Sequence, residues 1–389
     1  MTRRLPGNWE TIVVGAGVFG AWTAWHLQQR GMRVLLVDAY GAAHARASSG
    51  GGSRMTRGSY GPDEIYTRLA YDSLAQWKWL SDRAGLPILH EIGVLMFFGQ
   101  REKYVDDTLA VHAKLNLSTH LLERAELTRR WPQARWDDVA LGIFEPQFGP
   151  LIARRAVRTL VHEFERAGGT TAILAVKQPR GNQRLASLHT SSGEALSADR
   201  YVFACGAWLP KLFPDHLGGR IFPTRQEVFL FAPPAGDDRF AAPNFPGWAD
   251  FNAGDMYYGF PDLEGRGFKI AHDKHGPPID PDTSDRVASA AGQQDVREYL
   301  ARRFPALADR PLVESRVCQY ENSASGDLLI DRHPTLQNVW LVGAGSGHGF
   351  KHGPEVGRLT AELVLSDGVA QEPRFSLATK ALVQNRRVH

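Results

Sequence analysis

Residues 10–38 run strand, glycine-rich turn, helix, strand and acid, an order that few folds can accommodate. Residues 11–14, Thr-Ile-Val-Val, form a short apolar run of the kind a buried strand needs, and Gly15-Ala-Gly-Val-Phe-Gly20 is the turn. Residues 21–30 carry apolar side chains at helical spacing, Gly31 suits a helix terminator, and Arg33-Val-Leu-Leu-Val-Asp38 reads as a second strand. In such a βαβ opening Gly15 permits the tight turn, Gly17 lets backbone approach a pyrophosphate, and Gly20 lets the helix pack close to the strand. Val18 and Phe19 complete the turn, and the helix that follows offers N-terminal N–H groups and a partial positive charge that favour phosphate. Asp38 ends the second strand, where a carboxylate accepts the adenosine ribose hydroxyls. The spacing predicts a bound dinucleotide, although the turn alone does not separate NAD from FAD.

Two further features favour FAD. Ser48 and Ser49, followed by three glycines, sit where a second contact to the pyrophosphate would fall. The strand over 200–205 ends in Gly206-Ala207-Trp208, a second turn able to approach the cofactor closely. Downstream, the pattern predicts a helix over 62–83, a strand over 93–98 and a helix over 151–167. Runs at 170–176, 184–189 and 200–205 read as strands returning to the first sheet. Strands dominate 220–325, including 226–231 and 267–272. The C-terminal part repeats the opening grammar, with a strand over 338–342, a glycine-rich loop over 343–353 and a helix over 354–365. These elements predict an α/β chain in two parts. One is a discontinuous nucleotide-binding domain (1–84, 150–218 and 326–389). The other is an inserted, mainly antiparallel substrate domain (85–149 and 219–325).

Charge and cysteine content narrow the function. A formal net charge of +3, with 45 Lys and Arg spread among 42 acidic residues, gives no basic patch for nucleic acid. Two cysteines, Cys205 and Cys318, do not make a secreted disulfide framework. No Cys/His cluster has metal-ligand spacing. The basic N-terminus lacks an apolar stretch behind it, and no run reaches the roughly 20 apolar residues of a membrane span. The expectation is a soluble, cytoplasmic protein without nucleic-acid or membrane partners.

Taken in order, the fingerprint, the Ser-Ser/Arg-x-x-Arg loop, Tyr258-Gly-Phe-Pro261, the strand Lys269, Cys318-Gln-Tyr320 and Gly345-Ser-Gly-His-Gly-Phe-Lys351 resemble the D-amino-acid-oxidase-like flavoprotein superfamily. The likeness is strongest to its sarcosine-oxidase and N-methyltryptophan-oxidase branch. The resemblance implies a Rossmann-type FAD-binding domain and a monomer acting on a small amine or amino acid and O2.

It also implies roles residue by residue. Cys318 would bond covalently to the flavin, where its residue type alone suggests a small buried apolar group. Tyr320, two residues on in a strand, shares its face and would look into the flavin cavity. Arg54 would lie against the flavin ring, while Arg57 and Lys351 would clamp the substrate carboxylate. Without the resemblance, the arginines read as phosphate contacts or surface ion pairs and Lys351 as a solvated loop residue. Lys269, in a largely apolar strand, would sit by the flavin and stabilise negative charge as O2 is reduced. Tyr258 would line the substrate cavity. Gly345, Gly347, His348, Gly349 and Phe350 would approach the flavin, with His348 also near the chemistry. Cys205 reads as core.

Two positions depart from the relatives. They carry a His shortly after the paired serines, where Gly50 stands here, and a His four residues beyond the strand Lys. This chain has His272 only three beyond Lys269, which strict alternation puts on the opposite face unless a bulge intervenes. The expected reaction is oxidation of a C–N bond to an imine, hydrolysed by water, with O2 reduced to hydrogen peroxide. The alternatives are a dehydrogenase passing electrons to a quinone or partner protein, a non-catalytic flavin-binding subunit of an electron-transfer assembly, and an NAD-binding protein.

Overall fold

A computed structural model describes residues 9–252 and 256–384; the sequence readings at the extreme termini lie outside these. Its first sheet has six strands in the order Leu329–Arg332, Val339–Gly343, Ala198–Phe203, Trp9–Val14, Val34–Asp38, Thr170–Ile173. All neighbours are parallel except the first pair. Unbroken apolar runs such as Ile12-Val13-Val14 belong in such a sheet because both faces are covered. Val13, Leu36 and Val342 face one core, built with the helices Val18–Gln29, Ala153–Arg166 and Gly353–Leu365. Ile12, Val14, Leu35 and Leu341 face the other. Far-apart segments are thereby tied into one layer: the opening helix packs mainly on Gly353–Leu365.

The second sheet has eight strands in the order Leu312–Ser323, Ile221–Phe231, Phe268–Asp273, Met256–Phe260, Gly247–Asp250, Val94–Phe98, Leu141–Glu145, His120–Glu123. Its pairs are antiparallel except the parallel contact between Gly247–Asp250 and Val94–Phe98. On one face Phe229, Phe231, Phe268, Ile270 and Trp248 pack with Val296, Tyr299 and Leu300 of the helix Ala290–Arg303. The register then decides the opposite face. Lys269 is opposite Leu230 and Phe260, Ala271 opposite Tyr258, Gln226 opposite Cys318, and Thr224 opposite Tyr320. Directly opposed residues share a face and alternate residues change it. Lys269, Asp273, Tyr258, Cys318 and Tyr320 therefore all project from the face that the apolar helix does not cover.

Two expected elements differ. The helix over 62–83 is two helices, Glu64–Asp72 and Leu74–Ala84, which meet at Ser73, whose hydroxyl donates to the Leu69 carbonyl at 2.7 Å. Such bonding to the i−4 carbonyl competes with the helical ladder. The strand over 184–189 shortens to Leu188–His189 and forms a two-stranded sheet with Ala195–Leu196, outside the first sheet. The side chains beyond its apolar residues are polar and exposed, so nothing fixes a longer strand there.

Candidate active site

At the first turn, a methyl on Gly20 would fall 1.8 Å from the Gly15 carbonyl oxygen, and Gly15 itself has φ +100° with Ala204 packed against it. These two glycines serve the close crossing of helix and strand. Gly17 differs: its nearest neighbour to an added methyl is Ser49 Oγ at 3.4 Å, and its open side faces a cavity of about 410 Å³. Replacing Gly20 by Ala is expected to push the helix off the strand at a cost of about 1–3 kcal/mol. The purified variant should then show a clearly lower ratio of flavin absorbance to protein absorbance than wild type.

The cavity runs from this turn past Asp38, Tyr40 and Trp208 at one end to Arg54, Cys318, Tyr320 and Phe350 at the other. Asp38 accepts the Ala16 N–H through Oδ2 and the Tyr40 N–H through Oδ1, each at 2.8 Å, so each oxygen keeps a further lone pair. Ser49 Oγ accepts the Val18 N–H at 3.0 Å, occupying one of the helix-terminal donors. Trp208 donates to Asp282 at 2.6 Å, and its ring stands 6.3 Å from that of Tyr40. Gly206, Gly345, Gly347 and Gly349 line the middle of the cavity.

The lining suits FAD. Ser48 Oγ, Glu321 Oε2 and Gln319 Nε2 are buried without a hydrogen-bond partner within the protein, and all three residues line the cavity. A native fold does not leave such groups orphaned without cause. Their position along a slot between a phosphate-type turn and an apolar end fits the diphosphate, ribityl chain and ring of the cofactor. Burial pushes the Glu321 carboxyl up to about 7.

At the flavin end Arg54 donates to the carbonyls of Ser48 and Ser53, and its Nη2 lies 3.6 Å from Cys318 Sγ. Its guanidinium stands 5.9 Å from the Phe350 ring centre. Cys318 and Cys205 are both thiols and not a disulfide. Cys205 packs beside the second core of the nucleotide sheet and donates to the Val14 carbonyl, and burial pushes its thiol pKa up.

Lys269 is 4% exposed and pairs with no carboxylate among the described residues. Its ammonium donates to the Ser53 carbonyl at 3.0 Å and lies 4.8 Å from the Phe260 ring centre and 5.5 Å from that of Tyr258. Burial, then the neighbouring Arg54, holds its pKa well below the usual lysine range.

Arg57 and Lys351 meet at Tyr60. The Arg57 guanidinium sits 4.3 Å from that ring's centre, and the Lys351 ammonium donates to the Tyr60 hydroxyl and the His348 carbonyl, each at 2.7 Å. Both cations are buried. His348 Nδ1 is 3.2 Å from the Tyr60 hydroxyl and its Nε2 3.1 Å from the Gly326 carbonyl, so its ring is held on both sides. Beneath this loop the fully buried Glu145 accepts from Gly58 N–H and Ser59 Oγ, next to His112.

Sequence reasoning missed Tyr60, Glu321 and Asp273. Tyr60 joins residues nearly 300 positions away, and only the fold reveals that. Asp273 had a readable signal: it is the residue four beyond Lys269, on the same face. It accepts from the Tyr320 hydroxyl at 2.9 Å. His272 instead lies on the helix side, as plain alternation requires, bonded to Asp295 at 2.8 Å and stacked on Tyr257. At Gly50 a methyl would fall 1.9 Å from the His44 carbonyl oxygen, so this backbone has no room for a histidine.

Among the described residues no His, Cys, Asp and Glu group is placed to hold a metal, and no helix is long and apolar enough to cross a membrane. The family model for DAO, FAD dependent oxidoreductase, matches residues 10–363. Monomeric sarcosine oxidase of Bacillus sp. (strain B-0618) is 30% identical over 366 residues, covering 92% of this chain and 93% of that protein. N-methyl-L-tryptophan oxidase of Salmonella newport (strain SL254) is 28% identical over 376 residues, with 95% and 97% covered. Among solved structures, L-proline dehydrogenase from P. horikoshii shares the fold with a TM-score of 0.83 at 21% identity, covering 96% of this chain and 98% of its own.

Proposed function

Because this chain belongs to the DAO family of FAD-dependent oxidoreductases, and is an amine-acting member by its relatives, we propose that it oxidises the C–N bond of a secondary amine or N-methyl amino acid and reduces O2 to hydrogen peroxide. The observation that carries the reading is the meeting of two buried cations, Arg57 and Lys351, beside the sheet face that presents Tyr258, Tyr320, Cys318 and Lys269. A carboxylate gains most from paired cations where water is scarce.

Bound FAD would supply the electron chemistry, taking a hydride equivalent from the carbon beside nitrogen and delivering two electrons to O2. The protein's part is holding and polarising. Gly15, Gly17, Val18, Phe19, Gly20, Ser48, Ser49, Asp38, Gly206 and Trp208 hold the nucleotide half. Arg54, Gly345, Gly347, His348, Gly349 and Phe350 frame the ring, and Cys318 is the point of covalent attachment. Arg57 and Lys351 orient the substrate by its carboxylate so that one C–H faces the ring, a gain of proximity. Tyr258 and Tyr320 bound the amine end. Lys269 places a fixed positive charge where O2 acquires negative charge. We assign 1–84, 150–218 and 326–389 to the FAD half and 85–149 and 219–325 to the substrate half, in a cytoplasmic monomer.

The test mixes the holoenzyme without air with sarcosine and a panel of N-methyl and cyclic amino acids, follows flavin bleaching, then admits air. Bleaching by a member of the panel, rapid recovery in air and one hydrogen peroxide per turnover are expected. Slow recovery in air but fast recovery with a dye would replace the oxidase reading with a dehydrogenase.

A further inference from the structure

We propose that Glu145 and Tyr104 are positioning residues for Arg57: they hold Ser59, whose carbonyl holds the guanidinium, and so aim that cation at the substrate carboxylate. The proposal deepens the amine-oxidation reading and rests on its placement of the carboxylate at Arg57.

The Arg57 side chain is buried, and its Nη1 donates to the carbonyl of Ser59, two residues on in the same loop. A buried guanidinium follows its acceptor, because a lost bond to a charged group is expensive away from water. The position of Ser59 therefore sets the direction of the cation. Two groups from outside the loop fix Ser59. The Tyr104 hydroxyl donates to the same carbonyl at 2.9 Å, and the Ser59 hydroxyl donates to Glu145 Oε1 at 3.1 Å. Glu145 also accepts the Gly58 N–H, at 3.0 Å through Oε1 and 3.2 Å through Oε2. Oε1 can accept from both residues with the carboxyl charged or neutral, so the hold needs no particular charge on Glu145.

The local sequence is suited to this hold. A methyl on Gly58 would fall 3.0 Å from the Phe148 ring and 3.1 Å from Glu145 Oε1, so a larger residue would lift the backbone off the carboxylate. Tyr104, Thr108 and His112 recur every four residues along the helix Lys103–Lys114 and share one face. Thr108 Oγ1 accepts the Gly61 N–H at 3.0 Å. His112 Nε2 stands 3.3 Å from Glu145 Oε1, and its Nδ1 lies 2.8 Å from Thr119 Oγ1. None of Tyr104, Thr108, His112 and Glu145 lines the cofactor cavity. An apolar side chain would fill the place of Glu145 without loss of hydration, but it could not hold an N–H and a hydroxyl.

The second cation is held separately. Lys351 donates to the Tyr60 hydroxyl at 2.7 Å, and that hydroxyl stands 3.2 Å from His348 Nδ1 and 2.9 Å from His352 Nε2. Releasing Ser59 should therefore displace Arg57 and leave Lys351 in place.

The test titrates propionate, a carboxylate without an amine, into the holoenzyme and follows the flavin absorption spectrum. Wild type should bind it, and Arg57→Met should bind it at least about tenfold more weakly. Glu145→Leu, which removes both acceptor oxygens, should weaken propionate about tenfold, and Tyr104→Phe, which removes one hydroxyl, about fivefold. Made again in the Arg57→Met background, each substitution should change the affinity by less than about twofold, because each acts through Arg57. Full effects that persist without Arg57 would overturn the proposal. So would propionate affinity equal to that of wild type, whatever happens to the melting temperature, since that would mark a structural role. If Glu145→Leu does not fold, Tyr104→Phe decides by the same two comparisons. If Arg57→Met itself binds propionate like wild type, the placement of the carboxylate fails and the positioning role falls with it.

Discussion

In a Lys269→Met variant, bleaching of the flavin by substrate is expected to stay within a few-fold of wild type, while reoxidation in air slows by about 10²–10³-fold. The split follows from what the ammonium touches. Its neighbours are a backbone carbonyl and the faces of two aromatic rings, not the cations proposed for the substrate carboxylate. Methionine has nearly the same length and suits the apolar wall of Phe260, so packing survives and only the charge goes. Stopped-flow traces of the two half-reactions separate the outcomes. Equal slowing of both would remove Lys269 from O2 chemistry and make it a structural residue.

The pH dependence of the same step has a definite sign. Burial lowers the Lys269 pKa, so its cation is lost on the alkaline side earlier than for an ordinary lysine. Reoxidation should therefore fall as pH rises through a point below the usual lysine range, and Lys269→Met should lack that limb. Stability runs the other way. Between the depressed folded pKa and the unfolded one, the unfolded chain binds the extra proton, so this lysine's contribution to stability rises with pH.

The contrast between Lys269 and its neighbours shows which parts of the site the sequence made legible. Turn chemistry is local: Gly15 and Gly20 are required by contacts within a few residues and one neighbouring strand, so the fingerprint is readable before any fold is known. Strand alternation is also local, and it correctly places His272 away from Lys269. The same rule applied one residue further would have found Asp273. A histidine was the residue type sought there, and an aspartate cannot be recognised as its replacement until Tyr320 is seen donating to it. Tyr60 is a different kind of miss. Its value lies in joining Arg57 to Lys351, and no pattern within either segment encodes a contact between residues 60 and 351. The broken helix at Ser73 falls between these cases, since a serine hydroxyl can leave a helix intact or interrupt it depending on what the next turn packs against.

Cys318→Ser is expected to move all of the yellow colour from the acid-precipitated pellet to the supernatant, while the native variant still carries FAD. The first half follows from the proposed attachment. Cys318 lines the cavity at its apolar end beside Arg54, on the same sheet face as Tyr320 and Lys269. Cys205, the other thiol, is committed to the Val14 carbonyl and to the packing of the nucleotide sheet, so it offers no second point of attachment. The second half follows from the nucleotide end. The crossing at Gly20, the Asp38 carboxylate and the orphaned polar groups of Ser48, Gln319 and Glu321 lie along the cavity and do not depend on the Cys318 sulfur. Oxygen in place of sulfur changes little in volume, so the serine variant isolates the bond from the binding. A wild-type pellet that is white from the start would remove the covalent link and leave the cavity, its polar lining and the fold as they are. A colourless native variant would mean instead that the nucleotide end cannot hold FAD without the bond, and that the polar lining does less than its burial implies.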